Sequence, residues 1–131
     1  VPGLLLLDTH ILLWAAGQPE RLGRRALDLI KDTRNTPAFS VVSLWEVAIK
    51  LGLGRADFRA PDPRVLRRAW LDRGYREIPI LSEHAIAVLR LPHLHGDPFD
   101  RMLIAQAEVE GATLVTADAA IARYPGPILH L

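Results

Sequence analysis

Leu4-Leu5-Leu6-Leu7 is an unbroken apolar run that stops at Asp8. Such a run, without polar alternation, predicts a strand buried on both faces, as in a parallel sheet. Ile11 to Ala15 predict a short helix that stops near Gly17 and Pro19. Leu22, Ala26, Leu29 and Ile30 recur at helical spacing and predict a second helix over about Glu20 to Thr33. Pro37 to Ser40 reads as a second strand, and Ser43 opens a helix that carries Leu44, Val47, Ala48 and Leu51 and ends at Gly52 and Gly54. Arg55 to Pro63 reads as a loop, followed by a helix over Pro63 to Arg73 that Gly74 stops. Glu77 to Ile80 is a third strand, and Ser82 starts a helix ending near Leu91. Pro98 begins a helix to Glu110 that Gly111 caps. Thr113 to Thr116 is a fourth strand, Asp118 starts a short helix, and Pro127 to Leu131 is a fifth strand.

Strand and helix alternate throughout, which implies an α/β fold with a parallel sheet of about five strands, covered by helices on both faces. No repeat, low-complexity tract or linker interrupts the pattern, so residues 1–131 read as one domain.

Composition narrows the chemistry. There is no cysteine, which excludes a disulfide framework and a thiolate-ligated zinc or iron–sulfur site. No apolar run reaches the length of a membrane span, and a soluble cytoplasmic protein is the expectation. The net charge of +1 argues against wrapping nucleic acid by charge alone. Of the 16 basic residues only Lys31 and Lys50 are lysine. Arginine forks suit phosphate, but a codon bias accounts for most of them.

The acids are placed informatively. In an open α/β sheet, ligands bind beyond the carboxyl ends of the strands. Asp8 ends the first strand, Glu46 lies one turn into the helix after the second, and Asp118 lies just beyond the fourth. Asp100 is in the first turn of the helix that feeds the fourth strand. Each has a structural alternative. Asp8 and Asp118 fit helix caps, Ser43 to Glu46 fits a capping box, and Asp97-Pro98-Phe99-Asp100 fits a helix start with Asp97 as N-cap. Four carboxylates sharing one edge would raise each other's pKa values, and a hard divalent cation such as Mg²⁺ or Mn²⁺ relieves that repulsion.

Four segments together resemble a known family. Leu6-Leu7-Asp8-Thr9-His10-Ile11-Leu12-Leu13-Trp14, Ser43-Leu44-Trp45-Glu46-Val47-Ala48-Ile49-Lys50, Asp97 to Ala107 and Leu114-Val115-Thr116-Ala117-Asp118 resemble, in order, the four motifs of PIN-domain nucleases. Within them the chain resembles the VapC-like toxins of bacterial type II toxin–antitoxin pairs, in the branch with Asp-Thr-His in the first motif. The resemblance implies a three-layer α/β/α PIN-like domain. It also implies a Mg²⁺- or Mn²⁺-dependent endoribonuclease, usually dimeric and silenced by a cognate antitoxin protein. The family's catalytic and metal-binding acids carry over onto Asp8, Glu46, Asp100 and Asp118. Asp8 and Asp100 are read as direct ligands. Glu46 is read as a ligand, direct or through water, or as an aid to deprotonating the attacking water. Asp118 is read as an outer acid, or as the ligand of a second metal.

Other residues carry two readings each. Thr9 and Thr116 could orient carboxylates or cap helices. Arg101 could contact RNA phosphate or pair with an acid of the site, and Lys50 could form an ordinary i,i+4 ion pair with Glu46. His93 and His95 read as a solvated loop in preference to a zinc site. Trp14, Trp45 and Trp70 read as packing residues, with an exposed one suited to a dimer or antitoxin interface. A receiver domain would need a phosphoacceptor Asp after the third strand and a Lys after the fifth, where this chain has Pro79-Ile80 and the terminal Leu131. A PIN nuclease of RNA or DNA processing without an antitoxin, or a non-cleaving PIN domain that binds RNA or protein, would share the same acids.

Overall fold

The computed structural model describes residues 3–131; Val1 and Pro2 lie outside the described residues. Five strands form one parallel sheet: β1 (Leu4–Leu7), β2 (Thr36–Ser40), β3 (Arg76–Ile78), β4 (Thr113–Thr116) and β5 (Ile128–His130). Their order across the sheet is β3-β2-β1-β4-β5. The chain builds outward from β1 on one side, then crosses to the other side for β4 and β5. The switch point of the topology therefore lies between β1 and β4.

Seven helices cover the sheet: α1 (Thr9–Gly17), α2 (Gly23–Lys31), α3 (Val41–Gly52), α4 (Pro63–Asp72), α5 (Ser82–Ala87), α6 (Pro98–Glu110) and α7 (Ala119–Ala122). Alternate strand residues feed two separate cores, because successive side chains of a strand face opposite ways. Leu6, Ala38 and Leu114 pack with Ala87 of α5, Leu103 and Ile104 of α6, and Ile121 of α7. Leu5, Leu7, Phe39 and Val115 pack with Ile11 and Leu12 of α1, Ala26 of α2, and Leu66 and Trp70 of α4. This is the expected three-layer α/β/α architecture. Helix α3 gives Val42 to the first core and Val47 to the second, so it straddles the sheet at the carboxyl end of β2.

Besides ends that shift by one or two residues, three expected helix boundaries move. The helix expected over Glu20 to Thr33 is a 3₁₀ turn at Pro19–Arg21 followed by α2, and the helix from Ser82 ends at Ala87 with a 3₁₀ turn at Val88–Arg90 beyond it. The third correction bears on function. Helix α3 is capped by Ser40, whose hydroxyl accepts the N–H of Val42 at 3.0 Å. Ser43 lies inside the helix, and the capping box expected between Ser43 and Glu46 does not form. Glu46 is thereby free to face another partner.

Candidate active site

Asp8 follows the last residue of β1, and its backbone N–H still reaches Val115 of β4 at 3.1 Å. Its Oδ1 accepts the N–H of Ile11 at 2.9 Å, which makes Asp8 the N-cap of α1. Its Oδ2 accepts the hydroxyl of Thr116, the last residue of β4. The two strands flanking the switch point are thus tied together by one carboxylate. Asp8 is only 3% exposed. Burial raises its pKa, opposed by the bonds from Ile11 and Thr116 and by the nearby His10.

Thr9 aligns the second acid. Its hydroxyl donates to Glu46 Oε1 at 2.7 Å, and with its only proton so used it accepts from Ser43 Oγ, 2.9 Å away. Lys50 Nζ donates to Glu46 Oε2 at 2.6 Å, the i,i+4 pair that the spacing allowed. Glu46 is buried on α3, with both oxygens held from opposite sides.

Asp97 is the N-cap of α6, accepting the N–H groups of Phe99 and Asp100 at 2.9 and 3.1 Å. That cap fixes the first turn of α6 and leaves the Asp100 side chain outside the capping bonds. Asp100 has its pKa raised to about 7: burial is the largest cause, followed by the charges of Asp97, Glu46, Asp118 and Asp8. All the sequence-picked acids therefore act electrostatically on one carboxyl. Asp118 is exposed; it caps α7 through Ala120 and its own N–H is held by Thr116 Oγ1 at 3.0 Å.

The acids form a rim, not a closed cage. Among the described residues no group of three or more His, Cys, Asp or Glu side chains is arranged to hold a metal ion. The bonds of Asp8 to Ile11 and Thr116, and of Glu46 to Thr9 and Lys50, account for that spread. The donors still suit a hard cation: they are carboxylate oxygens at a switch point, and the pKa of one of them, Asp100, is raised by burial and by the charges of the others.

Arg101 does not serve this rim. It is buried, and its guanidinium donates to the carbonyls of Pro92, Val88 and Leu91 and to the Tyr124 hydroxyl. It braces the loop ahead of α6 instead of meeting an acid or an RNA phosphate. His95 is the residue that sequence reasoning underrated. It is not solvated: its ring packs edge-on against Tyr124, and its Nε2 is buried 3.7 Å from Asp100 Oδ2 without a hydrogen-bond partner. Its position two residues ahead of the Asp97 cap was the available signal. A second buried network also escaped notice. Ser40 donates to Gln106 Oε1, and Gln106 lies 3.3 Å from His84, whose other ring nitrogen meets Glu110 at 2.7 Å. It locks α3 and α5 onto α6 behind the acids.

Comparison with known proteins places this geometry. The chain matches the PIN domain over residues 5–127. It is 30% identical over 127 residues to Ribonuclease VapC22 of Mycobacterium tuberculosis, covering 95% of each chain. Its fold is similar to a chain of VapBC2 from Rickettsia felis bound to a promoter DNA fragment (TM-score 0.70, 18% identity, 98% of each chain). It is also similar to a chain of DNA-bound VapBC from Salmonella typhimurium (TM-score 0.64, 18% identity, 96% of each chain).

Proposed function

The chain belongs to the PIN-domain family, and on that premise we propose that it is a cytoplasmic endoribonuclease, the toxin of a toxin–antitoxin pair, working with Mg²⁺ or Mn²⁺. The observation that carries the reading is the set of bonds that fastens the acids at one edge of the sheet: Thr116 joins Asp8 to the Asp118 backbone, and Thr9, next to Asp8, holds Glu46. Unrelieved carboxylate repulsion at a ligand-binding edge is the signature of a site completed by a cation. The kinship with a ribonuclease over nearly the whole chain supports the polymer and the bond cleaved.

Asp8 and Asp100 would hold the cation, with Glu46 beside them and Asp118 at the outer rim. A bound Mg²⁺ or Mn²⁺ would supply an activated water and neutralise charge on the phosphodiester. Thr116 fixes the Asp8 carboxylate from behind, and Thr9 and Lys50 fix Glu46. Burial of Asp8 and Glu46 keeps bulk water from screening their charge.

The fold of VapBC toxins supports a protein antitoxin as partner. Co-purification with the product of a small DNA-binding gene next to this one tests that pairing. We also infer a homodimer. Trp45 (47% exposed) and Ile49 (44%) on α3 and Leu53 (63%), just past its end, recur every fourth residue and present one apolar stripe.

The nuclease reading is tested by cleavage of structured RNAs, with and without EDTA, by the natural protein and by Asp8→Asn. Cleavage should need the divalent ion and fall at least about 100-fold in the variant, the scale of losing one preorganised charge in an active site. Equal cleavage by both proteins, or cleavage indifferent to EDTA, overturns it.

A further inference from the structure

Beside the acidic rim lies a cavity of about 700 Å³ between α1 and the segment that joins α3 to α4. That size accommodates one small ligand. Its walls include His10, Trp14, Arg21, Asp57, Phe58 and Arg59. Trp14 and Phe58 are half-buried and packed against the core that holds α1 and α4, so the aromatic surfaces are anchored. The Arg21 guanidinium lies 4.7 Å from the centre of the Trp14 ring and also donates to Gln18 at 3.2 Å. Asp57 is matched by Arg55 at 3.8 Å, which leaves Arg21 and Arg59 as the uncompensated charges of the wall.

The cavity adjoins the acids at two places. His10 follows Asp8 by two residues and its charge acts on that carboxylate. Phe58 lies under Lys50, whose Nζ is 5.6 Å from the ring centre and bonded to Glu46. Anchored aromatic faces combined with fixed cations are the means by which proteins hold unpaired bases and the phosphates between them.

We propose that this cavity is a subsite for an unpaired nucleotide of the RNA strand, next to the phosphodiester presented to Asp8, Glu46 and Asp100. The Arg21–Trp14 stack and Phe58 provide the stacking surface, and Arg59, together with the charge of Arg21, attracts the flanking phosphates. The polymer's identity rests on the ribonuclease reading; the subsite itself rests on the cavity.

The test is fluorescence anisotropy of short, end-labelled single-stranded RNA of mixed sequence in EDTA, so that binding is read without cleavage. Trp14→Leu, and separately Arg21→Gln with Arg59→Gln, should each weaken binding about 10-fold. The double arginine variant should also flatten the dependence of log Kd on log salt by about 0.7 per lost contact. Trp14→Phe, which keeps a stacking face, and Arg90→Gln, a distant cation paired with Glu108, should retain the natural affinity. If Trp14→Leu fails to fold, the exposed arginines decide the matter. Unchanged affinity in the arginine variant, or no RNA binding by the natural protein, overturns the subsite. So does a loss confined to binding of a co-purified protein partner. RNA binding that depends on these residues in a chain that cuts nothing would uphold the subsite and sink the nuclease reading. Cleavage with natural KM by every cavity variant would do the reverse.

Discussion

Asp100 has a pKa of about 7 in the folded chain, against an unfolded value near 3.9. Between those values the native state holds a proton that the unfolded state has released, so this residue's contribution to stability falls as pH rises from about 4 to about 7. Asp100→Asn removes that penalty. Its melting temperature relative to the natural protein should therefore climb from about pH 4 to about pH 7 and level off above that. The favourable helix-dipole contribution of an acid in the first turn of α6 opposes the gain, but it cannot reverse the sign of the slope. A relative melting temperature that stays flat across the range would show that the acids do not crowd Asp100. Millimolar Mg²⁺ should raise the natural protein's melting temperature more at pH 8 than at pH 6, because a ligand that displaces a proton binds better once the proton is gone. Asp100→Asn should lose that pH dependence.

At the scale of elements, the sequence was most readable where one residue has one task. Leu4–Leu7 forms β1, Asp97 caps α6, and Gly111 ends it in the left-handed conformation with φ of 67°. A Cβ at Gly111 would meet nothing within 4 Å. Gly111→Ala should therefore meet no neighbour and incur only the strain of a Cβ at positive φ, about 1 kcal/mol, and lower the melting temperature by roughly 3–6 °C while specific cleavage per folded molecule is unchanged. A larger loss would mean that the turn into β4 carries strain the backbone does not reveal. Legibility failed where two residues competed for one task. Ser40 and Ser43 both suit an N-cap, and the choice of Ser40 depends on Gln106, 66 residues away, receiving its hydroxyl. That contact frees Glu46 to face Thr9. Arg101 was misread for a related reason: its sequence neighbours are acids, but its spatial neighbours are the carbonyls of the loop ahead of α6.

For the whole molecule, strand order brings scattered acids to one edge of the sheet. Asp8 and Asp118 are distant in sequence, yet Thr116, which accepts the Asp118 N–H two residues on, also reaches the Asp8 carboxylate because β4 lies next to β1. The same arrangement leaves Trp45, Ile49 and Leu53 as an exposed apolar stripe along α3 and its C-cap. Phe99 of α6 meets Trp45 edge-on at 4.9 Å and widens the stripe toward the acidic rim. Three side chains alone fall short of the roughly 800 Å² per partner that a stable pair buries, so the proposed pair would engage α6 as well, with Trp45 as anchor. The proposed pair would carry two acidic rims, one per copy. Sedimentation should then give twice the 14.5 kDa chain mass at micromolar concentration. Ile49→Glu with Leu53→Glu should give the single-chain mass and a lower melting temperature, because dimerisation stabilises the fold by mass action. A natural protein that sediments as one chain, or a double variant that keeps the mass of the pair, rejects α3 as the interface. Loss of cleavage in a folded, monomeric double variant would show further that the RNA needs both rims.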